Sequence, residues 1–224
     1  MKDVIILGAG KIAEVLCDYV RRDSDMQVHG FCVDAAYRHS DEFQGLPLVA
    51  LEDLRTRFPP GRYAVLMAIG YHECNALRAR KSAEVKGMGY QLASYVSTRA
   101  WVAGSAVIGE GCVVLDHVSV EPGVSLGDNV ALWSGVVVGH HATVGAHCWL
   151  AAGAAVGGGA QLGNGCFLGL NATIAHEIQL GERCLIGGLA WVGKSAAAGS
   201  VLIAPEATLF RLDVDRFLRF SGKL

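Results

Sequence analysis

The sequence predicts two unlike domains in one chain: a small Rossmann-like α/β unit, then a stack of short parallel strands wound into a triangular prism. Three observations predict it. The first is a register of six running through Val96, Val102, Ile108, Val114, Val120, Leu126, Leu132, Val138, Val144, Leu150, Val156, Leu162, Leu168, Ile174, Leu180, Ile186 and Val192. All 17 of these positions are Val, Ile or Leu in a chain where 58 of 224 residues are, so chance would fill only about one in four. The second is a pair of companions to that register. Gly follows the aliphatic at Gly109, Gly127, Gly139, Gly145, Gly157, Gly163, Gly169, Gly181, Gly187 and Gly193, and a small or β-branched residue stands four places after it, as at Cys112, Val130, Ala142 and Ala160. The third is that residues 1–92 lack the register and instead carry a glycine-rich turn between an apolar run and a helical pattern.

A period of six fits neither an α-helix, which places apolar residues at three and four, nor a half-buried strand, which alternates. It fits one short flat strand plus a corner. The large aliphatic then points inward, the small residue packs where two faces converge, and Gly is expected to supply the corner's backbone conformation. Three units close a coil of 18 residues, and coils stack through parallel-strand hydrogen bonds about 4.8 Å apart. This resembles the hexapeptide-repeat left-handed β-helix, an exception to the usual right-handed crossover. The expected division is 1–92 for the α/β domain, 93–195 for the β-helix and 196–224 for a C-terminal extension. In that extension Phe210–Phe220 reads as a short closing helix, docked through Leu212, Phe217 and Phe220.

Composition narrows the function classes. With 19 Lys and Arg against 21 Asp and Glu, the net charge of −2 argues against a nucleic-acid surface. Gly and polar residues interrupt the apolar positions at every repeat, so no run is long enough to span a membrane. The start, Met1-Lys2-Asp3-Val4-Ile5-Ile6-Leu7, is too short for a signal-peptide core, and a cytoplasmic protein is expected. Seven Cys is an odd number, and Cys112, Cys148, Cys166 and Cys184 all sit at the small position of the repeat. They read as free thiols used as small hydrophobes.

In the first domain, strand Val4–Leu7 runs into Gly8-Ala9-Gly10-Lys11-Ile12-Ala13. Helical spacing of Ile12, Val15, Leu16, Tyr19 and Val20 follows, and then a strand Val28–Val33 ending at Asp34. Strand, glycine turn, helix, strand and acid form the context in which G-x-G-x-x-A binds a nucleotide. The glycines admit a diphosphate to a helix N-terminus, and Asp34 stands where an acid accepts hydrogen bonds from a ribose or base. A third strand, Ala64–Ile69, ends at Gly70, and a helix is expected over 73–86. Three strands in about 90 residues suit a mononucleotide, such as that of a nucleotide-sugar, better than a dinucleotide.

Five of the eight His lie in the repeat, at His117, His140, His141, His147 and His176. A coil of 18 puts His140, Gly158 and His176 in one column along a corner. A hexapeptide β-helix of this kind commonly forms trimers, and such a corner would face the cleft between two subunits. His140 has the chemistry of a general base for an amine or hydroxyl attacking a thioester. Gly158, one coil away, would offer a bare N–H to the developing oxyanion. Its neighbours Gly157 and Gly159 leave room for a thin pantetheine arm.

Over residues 1–195 the chain resembles the sialic-acid O-acetyltransferase (NeuD-like) group. It is most similar to the bacterial acetyltransferases of nucleotide-linked 4-amino sugars (PglD- and perosamine N-acetyltransferase-like). The resemblance rests on Gly8-Ala9-Gly10, Val33-Asp34, Ala68-Ile69-Gly70 with Asn75 and Arg78, Gly139-His140-His141, and Cys166-Phe167-Leu168-Gly169-Leu170-Asn171. It implies a homotrimer with acetyl-CoA as cosubstrate, bound between adjacent β-helices, and no metal. It also implies His140 as base, the Gly158 amide at the acyl carbonyl, and a nucleotide held by Gly8, Gly10, Lys11, Asp34 and Gly70. His176 and Lys194 are further candidates for the acyl-CoA.

The chain departs from that pattern in three places. His141 stands where the family has the Asp or Glu that orients the base, which leaves His141, Asp116 and Glu177 as candidate partners. Trp133 replaces an Asn, and Ile203-Ala204-Pro205-Glu206 replaces a closing Gly-x-Pro-Ala. Three further readings remain: O- rather than N-transfer, a non-catalytic nucleotide-sugar-binding module, and a γ-carbonic-anhydrase-like zinc site. The zinc reading uses His140 and His176, 36 residues apart, but finds Gly181 where a third ligand is needed.

Overall fold

The computed structural model describes residues 2–222. The α/β domain is built from β1 (Lys2–Leu7), α1 (Lys11–Asp23), β2 (Met26–Val33), β3 (Glu42–Phe43), β4 (Leu46–Ala50), α2 (Leu54–Arg57), β5 (Ala64–Met67) and α3 (Ala76–Gly87). The sheet order is β3-β4-β2-β1-β5, parallel except for the β3–β4 hairpin. Two features were not expected from the sequence: the hairpin, which adds a strand beside β2, and the start of α3. The helix begins at Ala76 rather than 73, because Glu73, Cys74 and Asn75 all have left-handed backbones, with φ of 55°, 51° and 66°.

From Tyr95 onward, two-residue strands recur every six residues in three parallel sheets. Partners lie 18 apart, as in Ser119↔Val137, Ser125↔Thr143 and Ala131↔Trp149. The repeat aliphatics and the small residues form one core column, Val114, Leu132 and Val138 beside Cys112, Val130 and Ala142, all fully buried. The last coil is short: Leu185 pairs with Val201, 16 residues on.

The repeat glycines do a different job from the one expected. Left-handed backbones fall two residues after them, at Gly111, Asn129, His141, His147 and Gly159. The glycine itself is where successive coils touch. A Cβ on Gly127 would stand 2.6 Å from the Ala146 nitrogen, and one on Gly157 2.6 Å from the His176 nitrogen. Backbone-to-backbone contact, not turn conformation, selects Gly there.

The α/β domain covers one of the three faces. Val113, Leu115 and Trp133 of the β-helix share a core with Leu16, Val20 and Phe31. Around it Arg22 makes a two-point ion pair with Asp116 (2.9 and 3.1 Å). Arg78, 1 % exposed, donates to the Ile69 carbonyl (2.6 Å) and to the Asn129 carbonyl and Oδ1 (2.8 and 2.7 Å). Asn75 Nδ2 donates to the carbonyls of Gly165 and Cys166, both at 3.1 Å. Tyr71 lies on Phe167 and Trp149, and Trp149 on Trp133.

The extension does not close as expected. A helix, α4, does form over Val214–Phe220, with Asp213 as its cap, but no residue of it is buried. Phe217 and Phe220 are exposed, and Phe217 packs edge to face on Phe210 at 5.5 Å. Of the three expected docking residues, Leu212 alone is half-buried. No described helix is long and apolar enough to cross a membrane.

Candidate active site

The corner carrying His140 is the prism edge opposite the face that the α/β domain covers. It lies between the strands Val137–Val138 and Thr143–Val144, whereas the α/β domain sits over Val113, Ala131 and Trp149. The expected column is present. Gly158 is buried, and a Cβ there would stand 2.6 Å from His140 Nε2. Gly158 therefore makes the space in which the His140 ring lies. From the coil above, His176 Nδ1 accepts the Gly158 N–H at 3.0 Å. That bond puts the proton of a neutral His176 on Nε2. It also means that the Gly158 amide, expected to be a vacant oxyanion donor, already has an acceptor.

His141 is beside His140 in space as well as in sequence. Its Nδ1 is 3.2 Å from His140 Nδ1, with the rings edge to face at 78°. The His141 ring lies over Gly123, where a Cβ would stand 2.8 Å from Cδ2. Glu121 Oε2 accepts the backbone N–H of His140 at 3.0 Å and does not reach the ring.

The other two candidate partners are elsewhere. Asp116 is bound by Arg22 and Ser97 and approached by Arg99 at 3.5 Å, in the domain interface. Burial alone would raise its carboxyl, but the Ser97 hydrogen bond and the Arg22 guanidinium hold it below the usual carboxylate range. Glu177 extends over Gly159, one position off the histidine column. Among the described residues no group of three or more His, Cys, Asp or Glu is placed to hold a metal ion.

The second half of the candidate site is a cleft of about 610 Å³ in the α/β domain, bordered by Gly8, Gly10, Asp34, Tyr37, His72 and Lys81 among others. Gly8, at φ 132°, touches the Ala68 carbonyl, from which a Cβ would be only 2.8 Å. Gly10 opens α1 with nothing near its missing side chain and no side-chain cap on the helix. The first-turn N–H groups are thus open to an anion. Lys11 and Gly70 do not border the cleft: Lys11 is exposed, and Gly70 is buried against Ile12.

Asp34 borders the cleft paired with Lys81 of α3, which also reaches Glu84 at 2.7 Å. Burial opposes the charge on Lys81, but these two bonds outweigh it and raise its pKa. Lys81, Tyr37, His72 and Glu73 escaped sequence reasoning. The spacing of Leu77 and Lys81 puts both on one face of α3, but the partner of Lys81 lies 47 residues away. Lys194 is exposed on the last full coil.

Residues 105–140 match a family model described as bacterial transferase hexapeptide (six repeats), and 159–190 one described as hexapeptide repeat of succinyl-transferase. The chain carries the hexapeptide repeat of the bacterial transferases.

Its fold as a whole is that of solved sugar acetyltransferases. It aligns over 91% of its length, and 95% of the other chain, with PerB from Caulobacter crescentus in complex with CoA and GDP-perosamine, at TM-score 0.82 and 24% identity. It aligns over 93% of its length and all of the other chain with the acetyltransferase domain of PglB from Neisseria gonorrhoeae FA1090, at TM-score 0.79 and 20% identity. WeeI from Acinetobacter baumannii AYE matches over 94% of this chain and all of its own, at TM-score 0.60 and 20% identity. No curated protein sequence matches the chain. The resemblance read from the sequence therefore holds in repeat and in two-domain fold.

Proposed function

We propose that the protein transfers an acetyl group from acetyl-CoA to the amine of a nucleotide-linked deoxyamino sugar. One observation carries this reading: His140 Nε2 lies against the bare face of Gly158, on an edge flanked by Gly157 and Gly159 where a thin acyl-pantetheine can lie. The amine nitrogen attacks the thioester carbonyl carbon while its proton passes to His140 Nε2. The C–S bond then breaks, and the CoA thiolate takes that proton, giving amide and thiol. The thioester oxygen replaces His176 Nδ1 as acceptor of the Gly158 N–H, and His176 remains beside it as an Nε2–H donor.

Gly8, Gly10 and the Asp34–Lys81 pair hold the nucleotide, and Lys194 meets a CoA phosphate. The cleft and the His140 corner are on opposite sides of one chain's prism, so a sugar held in the cleft reaches the His140 of another copy. A homotrimer packed prism to prism satisfies this. Support comes from the similar fold of PerB, solved with CoA and GDP-perosamine, and of the PglB domain, solved with acetyl coenzyme A.

The test is thiol release from acetyl-CoA with UDP-, dTDP- and GDP-linked amino sugars, alongside thermal shift with each nucleotide. One nucleotide-sugar should both stabilise the protein and release CoA. Stabilisation by free sugars but by no nucleotide would overturn the assignment of the α/β domain. A nucleotide-sugar that stabilises without CoA release would favour a binding module, and O-acetylation of the product would favour the O-transfer reading.

A further inference from the structure

The corner contains a second imidazole where an orienting carboxylate is expected, and the geometry gives it a defined part. No Asp or Glu side chain hydrogen-bonds to either ring among the described residues. The charged groups around the pair are Glu121 on the coil below, engaged with the His140 backbone, and Glu177 two coils above His140, lying over Gly159. His176 is tied to the Gly158 amide. Among the described residues the one polar partner of the His140 ring is His141, at 3.2 Å between the two Nδ1 atoms.

Two neutral imidazoles that share one hydrogen bond need one donor and one acceptor, and the role of His140 decides which is which. A base that takes a proton on Nε2 keeps that nitrogen bare, while Gly158, with no side chain, packs against the ring and leaves its edge open. The His140 proton is then on Nδ1, and His141 Nδ1 accepts it. His141 is held for this by a left-handed backbone (φ 60°), by its N–H bond to the Pro122 carbonyl (3.0 Å) and by the ring seat on Gly123.

We propose that His141 is the positioning residue of the site, a neutral acceptor that fixes the base tautomer of His140 and shares the proton His140 gains. The inference rests on His140 as base. When Nε2 takes the amine proton, the Nδ1–H is drawn toward His141 Nδ1 and the pair holds one positive charge. When the thiolate removes the Nε2 proton, the first arrangement returns, with no net gain or loss. A carboxylate would hold its half of the bond at any working pH. His141 holds it only while neutral, because its protonated ring has no lone pair on Nδ1. A proton on either ring before substrate arrives therefore breaks the arrangement the reaction needs.

Nitrogen-15 NMR of the histidine side chains in the full-length protein, without substrate, reads the arrangement independently of activity. His140 should show a protonated Nδ1 and a bare Nε2, with a titration that changes when His141 is replaced. A His140 that carries its proton on Nε2, or that titrates identically in His141→Asn, overturns the proposal. In acyl transfer, His141→Phe should lower kcat by about 100-fold with KM for both substrates unchanged, and His141→Asn, which keeps an acceptor oxygen, should recover part of it. His141→Glu should restore the rate and move the acid limb of the pH profile up by about one unit, since a nearby carboxylate favours the charged imidazole. Wild-type kcat and pH profile in His141→Phe would sink the idea while leaving the base untouched. Activity retained in His140→Asn would sink the base reading, and the NMR result would still stand or fall by itself.

Discussion

His141 and His147 occupy the same place in neighbouring repeats, with nearly the same left-handed backbone (φ 60° and 62°), yet they stand in opposite surroundings. His147 is half-buried at the corner beside the α/β domain. Its Nδ1 is 3.1 Å from Asn129 Nδ2, and Asn129 is in turn bound by Arg78. His141 is exposed at the far corner, and its one side-chain partner is another imidazole. The repeat supplies polar corner positions at regular heights, and the neighbouring domain decides what each becomes. Where it covers a corner, the side chains fasten two domains. Where it does not, they are left free for chemistry.

Exchanging one corner's histidine at a time should separate the two roles. His140→Asn should cut the rate of CoA release by roughly 100- to 10,000-fold, the usual contribution of a general base, with an unchanged melting temperature. His147→Asn should leave the rate alone. An active His140→Asn protein would erase the distinction between the corners.

At the covered corner, Arg78→Met removes the donors to Ile69 and Asn129 and leaves buried acceptors unpaired. Burial already pulls the Arg78 guanidinium down to about 10, so it is still protonated at neutral pH. A loss of about 3 kcal/mol is expected from the charged hydrogen bonds, read as a drop in denaturation midpoint.

Gly158→Ala and Gly127→Ala sharpen the contrast, because each Cβ would meet an atom at 2.6 Å. In the first case the atom belongs to a side chain, His140 Nε2, which can swing away. Activity should fall by about 100-fold with little loss of stability. In the second it is the Ala146 backbone nitrogen, and about 1–3 kcal/mol of overpacking should appear in the melting curve instead.

The smallest effect concerns pH. Burial and the nearby Arg78 hold His147 below its ordinary value in the fold. The unfolded chain therefore binds the proton first, and stability is full above about pH 6.5. It declines as pH falls from there toward the folded value. The His147→Gln protein should lack that slope between pH 7 and 5.

The β-helix was legible because its signal is repeated 17 times and each repeat tests the period again. Taken at 18, the same period placed His140, Gly158 and His176 together. What stayed hidden has no periodic echo. The β3–β4 hairpin is two short strands around Gln44 and Gly45, and Pro47 in β4 reads as a break. Asp116 looked like a partner for His140, but Arg22, 94 residues earlier, claims it. Asn75 and Arg78 were visible only as parts of a motif, since their acceptors in the β-helix lie 51 to 91 residues away. The glycines were recognised and assigned the wrong duty, because a sequence shows a missing side chain but not the backbone that presses on it. The aromatic residues of α4 suggested docking, yet helical spacing alone does not supply a surface to meet.

A stack of parallel strands has an open end, and an open end can template the next molecule and grow into a fibre. The 16-residue last coil works against that. One face ends on the lone bridge between Leu180 and Ala196 and the next on the two-residue strand Val201–Leu202, so a second prism would meet an uneven end. Pro205, just beyond it, has no N–H to offer a new strand. The irregular last coil thus works as a full stop for the architecture.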